Sequence, residues 1–448
     1  MRRLAPAILA VIVFFTGCTF GQLKEETRKL RGQWVLMGQV AYDAEPTGDL
    51  VAVLYEKTAE GVALVSYRNV PWTLKEFVFL LEPGERDYRA AVFHDGNRNR
   101  EVDDGETVLL AERGNRLKFS DVTTWKMVKV DPADALPLPE GYRRDLSGLP
   151  ADETAQPYYV GLGVVPPDLK HEKFGEDASS MGFWEPHTFL QKYGIGVYML
   201  QPYDPDKIPV LFVSGADGNI SNWKYFLQRL DRTKYQPWYF LYPSGMRIFR
   251  NGQVLHLLVT AIEKNHGVKR LVVMAHSMGG LVAREFVRNH VGSDSQTEIS
   301  HFVTIATPWA GHSTADDGVN LLSTPISRPI PSWLDLAAGS RFLQGVFANS
   351  IEYQLDYHLV FAFMPGTGGD GVVELDSQLL PEAQDEASSI RGFHAGHLGV
   401  LFRDEVFEYI MSRIVVSTPE TGTSALKTEG KPELAPTPPG TPDPPTSR

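Results

Sequence analysis

The sequence predicts an α/β domain with a doubly wound, mostly parallel sheet, preceded by a small all-β domain. Between residues 157 and 415, short β-type runs alternate with amphipathic helical segments, which is typical of a parallel sheet covered by helices. Between residues 33 and 131, strand-like runs follow one another with turn residues between them. A connection rich in Pro and Asp, residues 132–156, separates the two patterns, so we expect a domain boundary there.

The first 18 residues have the features of an export signal. Arg2 and Arg3 precede an apolar run, 4–15, that is too short to span a bilayer. Cys18, the only cysteine of the chain, follows this run. The arrangement resembles a bacterial lipoprotein signal, which implies that Cys18 is lipidated and becomes the mature N-terminus. Thr rather than Asp at position 19 then implies the outer membrane, facing the periplasm or the surface. The alternative is an ordinary secretory signal with an incidental cysteine.

The all-β part contains strand-like runs at regular spacing, separated by turn signals such as Pro83-Gly84. Short strands at this spacing suggest an immunoglobulin-like sandwich. The runs cover residues 34–37, 50–55, 62–65, 77–81 and 88–93.

One loop of this domain carries oxygen-bearing side chains at alternate positions. They belong to Asp95, Asn97, Asn99, Asp103 and Glu106. This is how a loop wraps a hard cation, and it resembles loops of small β-sandwich modules. We predict a structural calcium ion there, with an Asn- and Gly-rich hairpin turn as the alternative. No cofactor is predicted for catalysis.

The α/β part continues as strand candidates with helix candidates between them. A stretch at 319–349 is longer than a simple crossover, and the composition of residues 416–448 predicts a disordered tail. The strand candidates are 210–213, 238–242, 271–274, 302–305 and 359–363, and the helix candidates are 223–230, 253–265, 280–289 and 399–413.

Ser277 lies in a sharp turn between the strand 271–274 and the helix 280–289. A strand-turn-helix context exposes the serine hydroxyl at the end of a strand and directs free helix N–H groups toward it. Small residues are needed around such a turn, and Ala275 and Gly279 meet this need. We therefore predict that Ser277 is a nucleophile. The alternative is a serine that only caps a helix.

A serine nucleophile needs a base, and the base needs an orienting carboxylate. At strand-turn-helix serine sites the carboxylate precedes the histidine along the chain. Asp370 is flanked by glycines just beyond the strand 359–363, so its carboxylate is the leading candidate. Glu374 and Asp376 are the alternatives.

The base should lie in the last loop before the final helix. His394 and His397 both fall in this region. His397 is favoured because it lies at the junction into the closing helix, and His394 is the alternative. His276, next to the nucleophile, is expected to have a packing or substrate-side role.

An oxyanion hole needs two backbone N–H groups that point at the developing negative charge. The first is predicted from Met278, the residue after the nucleophile. The second is predicted from Ala216, in the loop 214–218 that follows the strand 210–213, with Asp217 as the runner-up.

From about residue 182 to 413 the chain resembles the α/β-hydrolase superfamily, close to bacterial lipase-type esterases. The resemblance rests on the strand 209–215, the elbow 275–280, the segment 305–311, the acid loop 369–373 and the base loop 396–398. It implies a cap insertion at about 310–350 over an acyl pocket. One position departs from the family, because Ser214 stands where a histidine usually supports the oxyanion loop.

Together these features predict a membrane-anchored serine ester hydrolase of the lipase or carboxylesterase type, acting through an acyl-enzyme on Ser277. Its substrate would be a lipid-like or other acyl ester. The alternatives are an acyltransferase, thioesterase or amidase on the same triad, and a catalytically inactive envelope binding lipoprotein. The net charge of −12 argues against a nucleic-acid partner.

Overall fold

A computed structural model describes most of the chain up to residue 414. The predicted signal with Cys18 and the predicted tail 416–448 lie outside the described residues, as does part of the predicted connection. The described residues are 23–26, 34–41, 47–70, 75–81, 84–119, 125–131, 133, 135–146, 160–166, 168–323, 328–352 and 354–414.

The N-terminal domain is all-β, as predicted. It contains a three-stranded sheet in the order β4-β1-β7 and a four-stranded sheet in the order β3-β2-β5-β6. Apolar side chains of both sheets share one buried cluster, which includes Leu36, Leu54, Phe79 and Val92. The strands are β1 (Trp34–Val40), β2 (Asp49–Thr58), β3 (Gly61–Val70), β4 (Glu76–Leu81), β5 (Asp87–Asp95), β6 (Val108–Leu110) and β7 (Trp125–Val130).

The segment 135–146, which belongs to the predicted connection, packs on the four-stranded sheet. Leu138 and Leu146 are buried in a cluster with β2 and β5 side chains such as Val53. The hydroxyl of Tyr55 donates a hydrogen bond of 3.0 Å to the carbonyl of Arg143. This segment therefore covers the face of the sheet that points away from the shared core of the two sheets.

The second domain is built on an eight-stranded sheet in the order β15-β14-β13-β12-β10-β11-β9-β8. Every neighbouring pair is parallel except β9 and β11. The prediction of a mostly parallel sheet is thus confirmed. The strands are β8 (Val160–Val164), β9 (Ile195–Met199), β10 (Ile208–Val213), β11 (Tyr235–Leu241), β12 (Arg270–His276), β13 (Glu298–Ile305), β14 (Asp356–Phe363) and β15 (Ser389–His394).

Helices lie on both faces of this sheet, and each face has its own apolar cluster. Short 3₁₀ helices at Glu172–Phe174, Ile220–Trp223 and Gly399–Phe402 also belong to this domain, and another at Ala111–Gly114 lies in the N-terminal domain. The α-helices are α1 (Glu176–Trp184), α2 (Pro186–Lys192), α3 (Lys224–Arg229), α4 (Ile248–His266), α5 (Met278–Val291), α6 (Ser313–Leu322), α7 (Trp333–Leu336), α8 (Arg341–Gly345), α9 (Leu375–Gln378), α10 (Pro381–Asp385) and α11 (Asp404–Arg413).

The prediction of one continuous helix over 399–413 is wrong. Residues Gly399–Phe402 form a 3₁₀ helix, and Arg403 has an extended backbone with φ −106° and ψ 131° before α11 begins. An extended residue cannot continue the helical hydrogen-bond ladder, so the two helices are separate.

The predicted cap region contains three helices, α6, α7 and α8. The ring of Trp333 packs against those of Phe183 and Trp184, and its centroid lies 6.1 Å from the first and 6.2 Å from the second. The buried carboxylate of Asp335 accepts a hydrogen bond from Ile248 N at 2.7 Å and forms an ion pair of 2.5 Å with Arg247. A carboxylate at the first residues of a helix meets free N–H groups and a favourable dipole. Asp335 therefore fastens α7 to the start of α4.

Two largely buried histidines lie away from the carboxyl ends of the parallel strands. His256 is on α4 and His358 is on β14, where it contacts His301. Burial, together with a neighbouring histidine, lowers the pKa of His256 to about 4 and that of His358 to about 4. Both side chains are therefore neutral in the folded protein at neutral pH.

We expect the folded state to lose stability as the pH falls from about 6.5 toward 4. In this window the unfolded chain binds protons at both histidines and the folded chain does not, so each contributes a slope of up to ~1.4 kcal/mol per pH unit. The His358→Gln variant should show a shallower dependence of unfolding free energy on pH, measured by urea unfolding at several pH values. Equal slopes for wild type and variant would contradict the assignment.

Candidate active site

Ser277 sits at the turn between β12 and α5 with a strained backbone, φ 56° and ψ −136°. Its N–H donates to the carbonyl of Ile305 at 2.8 Å, which holds the turn against β13. A Cβ atom on Gly279 would lie 2.4 Å from the carbonyl oxygen of Ser214, and one on Gly280 would lie 2.0 Å from Thr307 Oγ1. Only glycine fits at these positions, so the turn needs the small residues that follow the serine.

A continuous hydrogen-bond chain joins Ser277, His397 and Asp370. Ser277 Oγ lies 2.9 Å from His397 Nε2, and His397 Nδ1 lies 2.7 Å from Asp370 Oδ2. With a proton on Nδ1, the ring donates to the carboxylate and accepts from the serine hydroxyl. This is the relation of nucleophile, base and orienting acid that serine catalysis requires.

Asp370 is held in its charged form although it is almost fully buried. Burial alone would raise the pKa of this carboxyl, but hydrogen bonds from His397, Val373 and Val372 outweigh burial, and the pKa is lowered. Oδ1 accepts the two backbone N–H groups at 2.9 and 2.7 Å. The N–H of His397 also donates to the Asp370 carbonyl at 3.0 Å. The loops of the acid and the base are therefore joined through both backbone and side chain.

The alternative acid and base residues occupy other places. Glu374 accepts a hydrogen bond from Ser313, at the start of α6, and Asp376 is exposed on α9. His394 is the last residue of β15, and its ring stacks on Phe363 with centroids 5.9 Å apart. The chain of hydrogen bonds to Ser277 runs through none of these three.

His276 contacts the base loop. Its Nε2 lies 2.9 Å from the carbonyl oxygen of His397, so the neutral ring donates a hydrogen bond to that carbonyl. Complete burial, and then the nearby His397, lower the pKa of His276 to about 3. The sequence suggested only a packing or substrate-side role for this residue, because a contact across 121 positions leaves no local signal.

The predicted oxyanion loop lies directly beside the nucleophile. A Cβ atom on Gly215 would lie 3.1 Å from Ser277 Oγ, so the backbone passes within reach of the reacting centre. Ala216 is exposed there. The N–H of Asp217 donates to Ser244 Oγ at 3.0 Å, which makes Asp217 a poorer candidate than Ala216. Met278 is buried as the first residue of α5, where helix N–H groups have no partner within the helix.

Ser214, at the position where the resemblance leads one to expect a histidine, supports this loop. Its buried hydroxyl donates to the Asn219 carbonyl at 3.2 Å and accepts from Trp223 Nε1 at 3.2 Å. Its own carbonyl accepts a hydrogen bond of 2.6 Å from the Tyr242 hydroxyl. The sequence pattern does not indicate the supporting roles of Trp223 and Tyr242. The loop is therefore anchored on both sides of Ser214.

The five predicted calcium ligands lie together in one loop. The Asp95 carboxylate accepts two backbone N–H groups of the loop, and Asp103 Oδ2 accepts the amide groups of Asn97 and Asn99. The Glu106 carboxylate likewise accepts two backbone N–H groups. Across the part of the chain that the structure describes, no group of three or more His, Cys, Asp or Glu side chains is placed to hold a metal ion. Calcium at this loop stays a prediction.

One family model matches part of the chain. The model of the PGAP1-like alpha/beta domain matches residues 204–324, which run from just before β10 to just after α6. The match includes Ser214 and Ser277 and ends before Asp370 and His397. No curated protein matches the chain.

Several solved structures are similar to about half of the chain. The mature lipase BlEst2 of Bacillus licheniformis is 18% identical over 49% of this chain and 98% of its own, with a TM-score of 0.39. Lipase B of Aspergillus fumigatus is 14% identical over 47% of this chain and 53% of its own, with a TM-score of 0.37. A protein of Listeria innocua is 15% identical over 48% and 97%, with a TM-score of 0.36. The sheet topology is that of the predicted α/β-hydrolase fold, and residues 204–324 are similar to the PGAP1-like alpha/beta domain.

Proposed function

We propose that the protein is a serine hydrolase of carboxylic esters. The observation that carries this proposal is the unbroken hydrogen-bond chain from Ser277 Oγ through His397 to Asp370. The second support is the glycine-lined backbone of the loop 214–218 beside the serine, which offers N–H groups for an oxyanion.

In the first half of the reaction, Ser277 Oγ attacks the ester carbonyl while His397 Nε2 accepts the hydroxyl proton. The carbonyl oxygen becomes an oxyanion, which the N–H groups of Met278 and Ala216 stabilise. Asp370 keeps the imidazole in the correct tautomer and stabilises its cationic form. His397 then donates the proton to the leaving alcohol, and an acyl-enzyme on Ser277 remains.

In the second half, His397 removes a proton from a water molecule that attacks the acyl-enzyme. The carboxylic acid leaves and the Ser277 hydroxyl is restored.

An acyltransferase would use the same site with a different acceptor, and a thioesterase or amidase would differ in the leaving group. An inactive binding lipoprotein was suggested only by the Ser214 departure. The contacts of Ser214 weigh against that alternative because they hold the loop in place.

Membrane attachment through lipidated Cys18 is part of the same proposal. It rests on the lipoprotein-like signal at the N-terminus. None of the helices in the described ranges has the length and apolar character required to cross a bilayer. An enzyme held at the outer membrane suggests a lipid-like acyl ester as the substrate.

One prediction concerns the triad. Ser277→Ala and His397→Ala should each lower kcat for a nitrophenyl ester by on the order of 10⁶, because the nucleophile or the base is lost. Wild type should also react covalently with a fluorophosphonate probe, and Ser277→Ala should not. His394→Ala is the matched control and should keep most of the activity, because that ring stacks on Phe363 away from the serine.

Two results would contradict the triad. Failure of the folded wild type to react with the probe would argue against a serine hydrolase. Loss of activity in His394→Ala, with His397→Ala still active, would show that the base is assigned wrongly. Circular dichroism of each variant shows whether it is folded.

Another prediction concerns Ser214. Ser214→Ala leaves the buried Trp223 N–H and the Asn219 carbonyl without this partner, which should cost about 1–3 kcal/mol in the free energy of unfolding. The loosened oxyanion loop should also lower kcat more than it raises KM. The exposed Ser221, in the same segment, provides the control variant Ser221→Ala. Equal stability and kcat in the two variants would contradict a supporting role for Ser214.

A further inference from the structure

A short helical turn at residues 23–26 is attached to the α/β domain. The buried carboxylate of Glu26 accepts hydrogen bonds from Thr188 N at 2.8 Å and from Thr188 Oγ1 at 2.9 Å. Thr188 lies in the first turn of α2, whose own preceding residue provides no side-chain cap. Leu23 is also buried, in the apolar cluster that contains Leu190 of α2. A polar contact and an apolar contact therefore fix this turn to α2.

The strand pairing places α2 at the edge of the sheet that carries the active site. α2 leads into β9, which is antiparallel to β11, and Gly196 at the start of β9 pairs with Leu241 at the end of β11. β11 is parallel to β10, and β10 ends at Val213 just before the oxyanion loop. The start of β9 therefore lies at the end of the sheet where β10 and β11 finish, which is also where the active site lies. We call this end the catalytic edge.

Side-chain contacts give the same placement. The ring of Phe189, on α2, lies 3.1 Å from where a Cβ atom of Gly182 would be. The carbonyl of Gly182 accepts a hydrogen bond from Gly245 N, and the adjacent Ser244 accepts one from Asp217 in the oxyanion loop. This series of contacts links α2, which holds the turn 23–26, to the oxyanion loop.

The chain between this turn and the proposed anchor is short. Five residue steps separate Cys18 from Leu23, and a fully extended chain advances at most ~3.6 Å per residue, or roughly 18 Å in total. Chain length therefore tethers an acyl anchor on Cys18 to within roughly 18 Å of Leu23, which is held against α2. Such a tether restricts which side of the protein can approach the membrane.

Exposed apolar side chains lie at the same edge. Val372 and Leu398 are 52% and 51% exposed, and each lies within two residues of the acid or the base. The hydrogen bond from His397 N to the Asp370 carbonyl brings their two loops together. The net charge of −12 provides no general attraction to anionic lipid, so the contact with the membrane would depend on the anchor and on apolar groups.

We infer that the turn 23–26 holds the catalytic edge toward the membrane that carries the Cys18 anchor, and that the enzyme hydrolyses acyl esters of lipids in that same membrane. This inference rests on the proposed ester hydrolase function and on lipidation of Cys18. Its partner is a lipid bilayer, and its substrate class is a membrane lipid with an acyl ester bond.

The test uses the acylated full-length protein in vesicles of phosphatidylethanolamine and phosphatidylglycerol. A fluorescent acyl-ester phospholipid is placed either in the vesicles that carry the protein or in separate protein-free vesicles. Hydrolysis in the same vesicles should be faster by on the order of 10², because the tether raises the effective concentration of enzyme at that surface. A soluble nitrophenyl ester measures catalysis in the same samples.

Three variants and one control variant separate the tether from catalysis. Inserting a 20-residue Gly-Ser linker before Leu23 should lower hydrolysis in the same vesicles roughly tenfold, because effective concentration falls with about the −3/2 power of a tether that becomes about five times longer. Glu26→Ala should also lower the rate of lipid hydrolysis in the same vesicles. Lys24→Ala, at an exposed position of the same turn, should leave that rate unchanged. Cys18→Ser should release the protein from the vesicles. Soluble ester hydrolysis should stay unchanged in all four.

The outcomes distinguish the two proposals. If the wild type fails to hydrolyse the soluble ester, the proposed function is wrong. Intact soluble-ester hydrolysis with equal rates on the two vesicle populations overturns only the inference. An unchanged lipid rate after linker insertion, or vesicle binding by Cys18→Ser equal to wild type, overturns it as well.

Discussion

The positive φ angle of Ser277 is the constraint on which the rest of the active site depends. A non-glycine residue adopts this conformation only where its surroundings enforce it, because the backbone is strained. Here the enforcement comes from the hydrogen bond to the Ile305 carbonyl on one side and from the start of α5 on the other. The same turn directs the hydroxyl toward His397, so the strain and the nucleophile geometry have a single structural cause.

The base loop is positioned by contacts on several sides of His397. Its imidazole binds Asp370, its N–H binds the Asp370 carbonyl, and its carbonyl accepts from the ring of His276. Asp370 is in turn fixed by two backbone N–H groups. A buried carboxylate with this many donors remains charged, which is the form that stabilises an imidazolium. The loop thus forms a preorganised site before any substrate binds.

Much of this arrangement could be predicted from the sequence, because the strand-turn-helix motif at Ser277 has a strict local pattern. The parallel sheet followed from the alternation of strand-like and helical segments, and Asp370 and His397 from their order along the chain. The remaining features depend on contacts between distant residues. Trp223 and Tyr242 support the Ser214 loop through side-chain geometry. The packing of 135–146 on a sheet face and the extended backbone at Arg403 likewise leave no periodic signal.

The contact between Gly280 and Thr307 also restricts how this site can change over evolution. Since a Cβ atom at position 280 would overlap the threonine side chain, a larger residue there requires a smaller one at position 307. Substitutions at the two positions should therefore be inherited as pairs. A library that varies the nucleophile helix alone should recover almost no folded members with a side chain at 280, whereas one that varies both positions relieves the overlap.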